Sequence, residues 1–431
     1  MAVWQKRTIG AIMALLVTLL GSGAVAGLWF MSDSSGPAPL PSVPAGPSIP
    51  VGHRPSAIAL DEHTRHAFIT NSADNTVSML DIDRLISVRS VTVGTDPMAV
   101  AVDQRIHRAL VLNRFSNTIS ILDTESGTVV RTAAVGVLPD LLALDRTQHH
   151  AFVAFSTADR RGVTALNVVT GHVLWTAHVP YEPSALSVDE QSGHLFVVTR
   201  QSGLLIVLDT RTGRQARATM LGTGTTVLTF AARRGDLFGV DPSSSQVAVL
   251  HTRARWAQTT MPVGVRPIAA VVDEQTGHLF VVNSFHGTVS MSDQVSGAQL
   301  HTAVVGTQPS ALVLDAPACR VIALSLGGQS ISSVDAETGR VLRTMTVEFQ
   351  PADMAVDTRT GRVFVVHERA AVRAPPRHES PQERLISAVG CVAPHPWQAK
   401  CLFQRVHAAP LVPTTDLVSV PVLDHQPLIM V

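Results

Sequence analysis

Two sets of residues with metal-binding or catalytic chemistry recur at regular places along the 431-residue chain. Histidine nitrogens bind transition metals, and carboxylates act as general acids and bases. One position of a repeating pattern holds histidine four times and arginine three times: His66, His150, His194 and His278, and Arg108, Arg320 and Arg362. A second position holds aspartate seven times: Asp61, Asp103, Asp145, Asp189, Asp273, Asp315 and Asp357.

The regular spacing favours a structural role for both sets. Equivalent positions of successive repeats are spread around an assembly, so their side chains do not converge within the ~2 Å of a metal bond. Aspartate accepts hydrogen bonds from backbone N–H groups in tight turns, whereas a catalytic residue is normally needed once. We therefore expect no metal ion at the histidine position and no catalytic residue at the aspartate position.

The short motifs of nucleophilic, metal-dependent and nucleotide-dependent catalysis are missing from the sequence. It has no G-x-S-x-G and no H-E-x-x-H, and no lysine follows "GTGTT" at 222–226 in a phosphate loop. Its 33 basic and 33 acidic residues argue against a nucleic-acid partner, which requires a basic surface. One tyrosine and five tryptophans offer little surface for stacking a planar cofactor, and we expect none.

A repeat of about 42 residues positions these side chains. Each regular unit opens with proline, five further residues and aspartate, as in "PMAVAVD" at 97–103 and "PSALVLD" at 309–315. The similar phrases "DEQSGHLFVVT" at 189–199 and "DEQTGHLFVVN" at 273–283 lie two repeats apart. The chain is therefore an array of related structural units.

Each unit contains four strand-like segments separated by Gly, Asn, Asp and Ser turn signals. In the unit from Val305 they are "PSALVLD", "RVIALS", "SISSVD" and "RVLRTMTV". The apolar first three indicate buried strands, and the fourth, with Arg and Thr, indicates a strand on the rim. Because one small sheet cannot bury both faces alone, the pattern predicts an all-β fold, a β-propeller of four-stranded blades. A stacked solenoid is the structural alternative.

The number of blades depends on how the last repeat is completed. Seven units are complete, and an eighth begins at Val347 with "PADMAVD" and "RVFVVH". If "ERLISAV" at 383–389 is its outer strand, the ring has eight blades, which is the count we expect. Alternatively, "SIPVG" before the first unit supplies a closing strand, and seven blades is the alternative count.

The segment "VGTDPMAVAVDQRIHRALVLNRFSNTISILDTESGTVVRTAAVG" resembles the YVTN family of β-propeller repeats, relatives of the YncE-like extracytoplasmic propellers. The resemblance extends from Val51 to His367, with Phe or Leu in place of the tyrosine of the naming motif, as in "HLFVVN". It implies a seven-bladed propeller on the outside of the cell, often without enzyme activity.

The terminal segments differ in composition from the repeats at 51–367. After residues 1–8, the stretch 9–31 is uncharged and long enough to cross a bilayer, and the basic residues before it place the N-terminus in the cytoplasm. A cleaved signal peptide is the alternative, which makes the protein secreted. A Pro- and Ser-rich linker follows at 32–50. The atypical tail at 368–431 is either a loosely ordered appendix or the product of a reading-frame change within the eighth repeat.

Binding residues are expected where the repeats disagree. The connections before each first strand and the turns between second and third strands are predicted to lie on one face, where Arg and aromatic side chains are common binding anchors. The candidate binding residues of this face are Arg54, Asp96, Arg114, Phe115, Asp140, Arg160, Arg161, Glu182, Arg200, Arg266, Phe285, His286, Gln308 and Asp353.

The sequence favours a membrane-anchored binding or scaffold module that presents this face to a protein or glycan. A propeller-type lactonase or sugar hydrolase is the alternative. It requires acids or metal ligands that line the central channel, and the acids expected to meet there are Asp96, Asp140, Glu182 and Asp353. A quinone-cofactor oxidoreductase-like propeller is a third alternative, against which the low aromatic content argues.

Overall fold

A computed structural model describes residues 48–200, 202–347 and 350–368, together with the backbone of 419–422 and 426–430. Every regular element in these ranges is a β-strand, as the sequence predicts. Within them, no helix is long and apolar enough to cross a membrane. The predicted anchor at 9–31 and most of the linker and tail lie outside the described residues.

The first four sheets follow the chain in order, each with four consecutive antiparallel strands. Their strands are β1 (Pro55–Asp61), β2 (His66–Asn71), β3 (Thr76–Asp81), β4 (Ile86–Thr92), β5 (Pro97–Asp103), β6 (Arg108–Asn113), β7 (Thr118–Asp123), β8 (Val129–Ala134), β9 (Pro139–Asp145), β10 (His150–Ser156), β11 (Arg161–Asn167), β12 (Val173–His178), β13 (Pro183–Asp189), β14 (His194–Thr199), β15 (Leu204–Asp209) and β16 (Gln215–Met220).

Three further sheets repeat the arrangement, and one last sheet departs from it. Their strands are β17 (Val227–Ala231), β18 (Asp236–Val240), β19 (Gln246–His251), β20 (Ala257–Pro262), β21 (Pro267–Asp273), β22 (His278–Asn283), β23 (Thr288–Asp293), β24 (Gln299–Val304), β25 (Pro309–Asp315), β26 (Arg320–Ser325), β27 (Ser330–Asp335), β28 (Val341–Thr346), β29 (Gln350–Asp357), β30 (Arg362–Glu368), β31 (Ser419–Val422) and β32 (Gln426–Met430).

The sheets form a ring in which the first strand of each sheet packs against the first strand of the next. β1 contacts β5, this pattern continues to β25 and β29, and β29 returns to β1. The β29–β30 hairpin therefore closes the ring, and the Asp353 carboxylate accepts a hydrogen bond from the Ile58 N–H at 3.0 Å across the closure. Ile49, from the "SIPVG" segment, is buried there with Phe364 and Val366.

Seven blades, β1 to β28, are regular. Seven is the alternative count of the sequence analysis. The expected count of eight was wrong, because the last sheet is not a regular blade. The last sheet has the order β29-β30-β32-β31, and β32 pairs with β30 in parallel, whereas a third strand of the repeat would be antiparallel. The reason lies in the sequence: the repeat of about 42 residues places a third strand ending near position 377, and the sequence has no apolar run ending in aspartate there. The "ERLISAV" segment lies outside the described residues.

Apolar side chains of the first three strands fill the spaces between neighbouring blades. The largest are fully buried phenylalanines from the middle of six second strands: Phe68, Phe152, Phe196, Phe238, Phe280 and Phe364. The fourth strands are exposed along most of their length, as in β4 and β16. Since a blade cannot bury both faces alone, packing between blades stabilises the ring, as the repeat pattern predicts.

Candidate functional site

The predicted connections and turns do emerge at one end of the blades, which we call the loop face. The backbone joins them directly: Arg114 N–H donates to Asp96 O at 3.0 Å, and Arg200 N–H donates to Glu182 O at 2.7 Å. Ser284 N–H donates to Arg266 O at 2.9 Å in the same way. The loop face is therefore a set of paired loops held by the ends of the strands.

The residue before the first-strand proline has a left-handed backbone in several blades. The φ angle is 49° at Arg54, 56° at Asp96 and 58° at Arg266. Non-glycine residues adopt this region rarely, so the surrounding structure must hold it. In the second blade that support is visible, because the Asp96 N–H donates to Asn75 Oδ1 at 2.9 Å. The candidate side chains at these positions therefore project from constrained backbone.

Two turns between second and third strands each carry an exposed phenylalanine that contacts the side chain of its neighbour in the chain. Phe115 is 62% exposed, and the Arg114 guanidinium lies 5.9 Å from the centre of its ring. Phe285 is 72% exposed, and its ring centre lies 5.4 Å from that of His286. Large apolar side chains at this level of exposure indicate a binding surface, because burial of each one by a partner would remove much apolar surface from water.

Several further apolar side chains of the loop face were not among the predicted candidates. They lie in the connections before first strands and in one second-to-third-strand turn, and all are exposed: Val137, Leu138, Tyr181, Val265 and Leu326. A search for charged and aromatic loop residues passes over the four aliphatic ones, whereas Tyr181 is aromatic and was missed although it meets that criterion. Their positions in the repeat could have identified them, because the turn at Leu326 and the connections at Val137, Leu138 and Val265 face water rather than a neighbouring blade.

Two acids and two arginines come together on the loop face of the second to fourth blades. Arg200 Nε donates to Glu182 Oε1 at 2.9 Å. Burial and the charge of Glu182 raise the pKa of Asp140, while Arg114 and Arg200 act in the opposite direction. One oxygen of Asp140, Oδ1, is buried without a hydrogen-bond partner. This mixed-charge cluster can bind polar and charged groups of a partner.

Asp353 lies apart from this cluster, at the closure of the ring. Its two oxygens accept hydrogen bonds from the N–H groups of Ile58 and Met354 at 3.0 and 2.8 Å, and burial raises its pKa. Its carboxylate thus links the β29–β30 hairpin to the first blade. The four acids named for a hydrolase therefore do not form one group: Asp140 and Glu182 are close, and Asp353 is bound to backbone elsewhere.

The second and third strands of the third blade have seven residues each, and the turn between them carries Arg160. Beside it lies a cavity of about 370 Å³, lined by apolar groups that include Val137 and Phe155 and by the polar side chains of Arg160 and His178. Phe155 lies so close to Gly136 that a Cβ there would meet its ring. Arg161 donates to Ala158 O at 2.9 Å and supports the turn.

The innermost strands are mainly apolar, as in "PMAVAVD" of β5 and "PIAAVVD" of β21. Apart from the aspartates at their ends, the titratable residues of the described innermost strands are Asp140 and Asp353, in the third and last sheets. These two acids lie in sheets that are not neighbours in the ring.

Two of the repeated histidines and one of the repeated aspartates show how these positions contact the backbone. The Nδ1 atoms of His66 and His278 each lie 2.9 Å from a backbone oxygen of the next blade, on Thr124 and Ala336. Asp61 Oδ1 accepts hydrogen bonds from the N–H groups of His63 and Thr64 at 3.0 and 3.2 Å. The spacing of each set therefore reflects the periodicity of the blades.

No protein-family model matches the chain, and no curated protein matches it. Solved structures share its architecture. Saccharomyces cerevisiae Sqt1 superposes with a TM-score of 0.62 and 12% identity, over 72% of this chain and 91% of that one. Kuenenia stuttgartiensis hydrazine synthase gives 0.54 and 15%, over 70% and 99%.

The β-propeller domain of Myceliophteria thermophila Cps50 (Swd1) is also similar, with a TM-score of 0.51 and 12% identity over 70% of this chain and 100% of that one. At such identities the likeness is one of fold alone. Together with the ring of four-stranded sheets, it shows that the chain is a β-propeller.

Proposed function

We propose that this protein is an extracytoplasmic, membrane-anchored β-propeller of the YVTN, YncE-like type that binds a partner protein through its loop face. The single observation that carries the proposal is the set of exposed aromatic and aliphatic side chains on this face, next to arginines. Phe115 beside Arg114, and Phe285 beside His286, are its most prominent members.

The composition of the loop face suits a protein–protein interface. The buried centre of such an interface is rich in aromatic residues and Arg, and a few of these residues supply most of the binding free energy. The mixed-charge cluster of Asp140, Glu182 and Arg200 supplies polar contacts that orient a partner. Exposed aliphatic side chains such as Leu138 and Leu326 favour a protein over a glycan, because they add apolar area without hydrogen-bonding groups.

The membrane anchor and location rest on the sequence. The uncharged stretch at 9–31 and the Pro-rich linker after it support a propeller held away from the outer surface of the membrane. The four-segment repeat, with "HLFVVN"-type second strands, supports the YVTN-like assignment.

The test compares binding by matched variants of the full-length protein. Wild type and the double variant Phe115→Ala/Phe285→Ala are cross-linked to membrane extracts, and the enriched proteins are identified. The control is Val295→Ala, which removes an equally exposed apolar side chain (68%) at the opposite end of a blade. We expect one protein to be enriched by wild type and Val295→Ala and lost from the double variant.

Enrichment of the same proteins by all three forms would contradict a role for the loop face. Binding that survives protease treatment of the extract but not glycosidase treatment would replace the protein partner with a glycan.

A further inference from the structure

At the junction of the first and second blades, on the end opposite the loop face, three side chains with metal-ligand chemistry converge. One ligand atom from each of Asp61, His63 and His107 lies within 4.8 Å of the other two. We propose that these residues form a binding site for a divalent transition-metal ion, with Zn²⁺ as the best match to the donor set. Two imidazole nitrogens and one carboxylate oxygen are ligands that zinc takes in proteins.

The Asp61 carboxylate is buried and held in a fixed orientation. Its Oδ1 accepts hydrogen bonds from the backbone N–H groups of His63 and Thr64, and its Oδ2 accepts one from the Thr124 hydroxyl at 2.5 Å. Oδ2 also faces Nδ1 of His107 at 3.6 Å, which is too long for a hydrogen bond. Outer hydrogen bonds of this kind orient the ligands of metal sites.

His63 follows Asp61 by two residues, in the exposed turn between β1 and β2. Its Nδ1 lies 3.2 Å from the backbone oxygen of Gln104. Since a carbonyl oxygen accepts only, this contact assigns the proton to Nδ1 and leaves a lone pair on Nε2. Histidines that bind metals commonly donate their other ring N–H to a carboxylate, a backbone carbonyl or water, and His63 has the second of these arrangements.

His107, from the turn between β5 and β6, faces the same space, and its side chain is 38% exposed. Its Nδ1 is buried and has no hydrogen-bond partner. Other buried side-chain atoms of the described residues also lack partners, but only this one belongs to a group of three potential metal ligands. The rings of His63 and His107 lie edge to face with centres 6.1 Å apart, so both border the same space beside Asp61.

The ligand atoms of Asp61, His63 and His107 must move closer together to hold an ion. Bonds of about 2.1 Å to zinc place tetrahedral ligand atoms about 3.4 Å apart, against the present limit of 4.8 Å. The exposed turn that carries His63 can supply this movement, whereas Asp61 is fixed. Three protein ligands leave the remaining coordination positions to water or to a group from outside.

The cluster is not a product of the repeat. At the next junction, Asp103 pairs with His149 at 2.7 Å, but Arg105 occupies the position of His63. Two histidines therefore meet an aspartate only once in the part of the chain that the structure describes. A residue that is needed once and departs from the repeat is more readily explained by a function than by the fold.

Equilibrium dialysis of the purified full-length protein against Zn²⁺, with metal analysis after prior chelation, tests the proposal. We expect one bound zinc per chain in wild type and at least about tenfold weaker binding in His63→Ala and in His107→Ala. The matched control is His149→Ala, which removes the equivalent histidine of the next junction and should bind zinc as wild type does.

Two further readouts exclude a trivial result. Thermal unfolding of each variant without metal tests whether weaker zinc binding results from unfolding. Because His63 is exposed, His63→Ala is expected to unfold at the same temperature as wild type. Co²⁺ in place of Zn²⁺ reports nitrogen and oxygen ligation by its visible absorption. Equal zinc binding by wild type and His63→Ala, or no zinc bound by wild type, would overturn the proposal.

Discussion

Arg65 in the first blade donates two parallel hydrogen bonds to Asp357 in the closing hairpin, although the two residues lie 292 positions apart in the sequence. The distances are 2.9 Å from Nη1 to Oδ1 and 2.7 Å from Nη2 to Oδ2. The Asp357 side chain is fully buried and that of Arg65 is 14% exposed. Arg65 also bonds to Asp83, so one guanidinium joins two carboxylates at the place where the ring closes.

Removal of this arginine should weaken ring closure. Arg65→Ala leaves Asp357 buried without its cation, and breaking a buried pair in this way costs about 3–5 kcal/mol. Denaturant unfolding measures the loss in free energy of unfolding. Arg359→Ala is the control, since Arg359 is 60% exposed and its contact with Asp83 is 3.5 Å long; it should cost less than about 1 kcal/mol. Equal losses in both variants would contradict a special role for Arg65.

The same pair predicts a dependence of stability on pH. Burial opposes ionisation of Asp357, but the hydrogen bonds from Arg65 and Thr360 outweigh it, and the pKa is lowered. A lowered pKa stabilises the fold above the unfolded value of about 3.9 and loses this contribution as pH falls through the folded value. The stability difference between wild type and Arg65→Ala should therefore shrink below pH of about 4. A constant difference down to pH of about 2 would contradict this.

Asp140 should behave in the opposite way. Burial and the nearby Glu182 raise its pKa, so its ionised form is disfavoured in the folded state at neutral pH. Asp140→Asn should raise the free energy of unfolding at pH 7 by about a few tenths of a kcal/mol, a small gain because Asp140 is only partly buried and solvent screens its charge. At pH 3, where aspartate is protonated in both states, the gain should vanish. Chemical denaturation at the two pH values checks the prediction, and a loss of stability at pH 7 would contradict it.

Substitutions of two phenylalanines five residues apart should have different effects, one on stability and the other on binding. Phe280 is fully buried between blades, whereas Phe285 is 72% exposed on the loop face. Phe280→Ala should lower the free energy of unfolding by about 3–5 kcal/mol, and Phe285→Ala should change it by less than about 0.5 kcal/mol. Binding of the partner captured by wild type should weaken for Phe285→Ala despite its unchanged stability. Strong destabilisation by Phe285→Ala would show that its ring is not free for a partner.

Most of the repeating structure could be predicted from local sequence. The four segments assigned to the unit from Val305 match β25, β26, β27 and β28, and the last strand is one residue shorter at each end than its predicted segment. The fifth repeat, which lacks the opening proline and aspartate of the others, also forms a full blade, with its first strand shortened to Val227–Ala231. Such agreement is physically reasonable, because strand segments depend on apolar runs and turn residues close together in the chain.

The closure of the ring and the detail of the loop face could not be predicted in the same way. The last repeat begins like the others in β29 and β30, but its sheet is completed by the distant strands β32 and β31. Charge and aromaticity identified Phe115, Phe285 and Arg200 as loop-face residues, and missed exposed aliphatic ones such as Leu138.

By itself, the sequence determined the blade: its four strands, its buried and exposed faces, and the turns held by aspartate. Periodicity sets these features because they depend on neighbours along the chain. Only the tertiary structure decided which residues of different repeats meet, as Arg65 meets Asp357 and as His107 meets Asp61. Those contacts depend on how the blades stack and where the ring closes, which is a property of the whole assembly rather than of any one repeat.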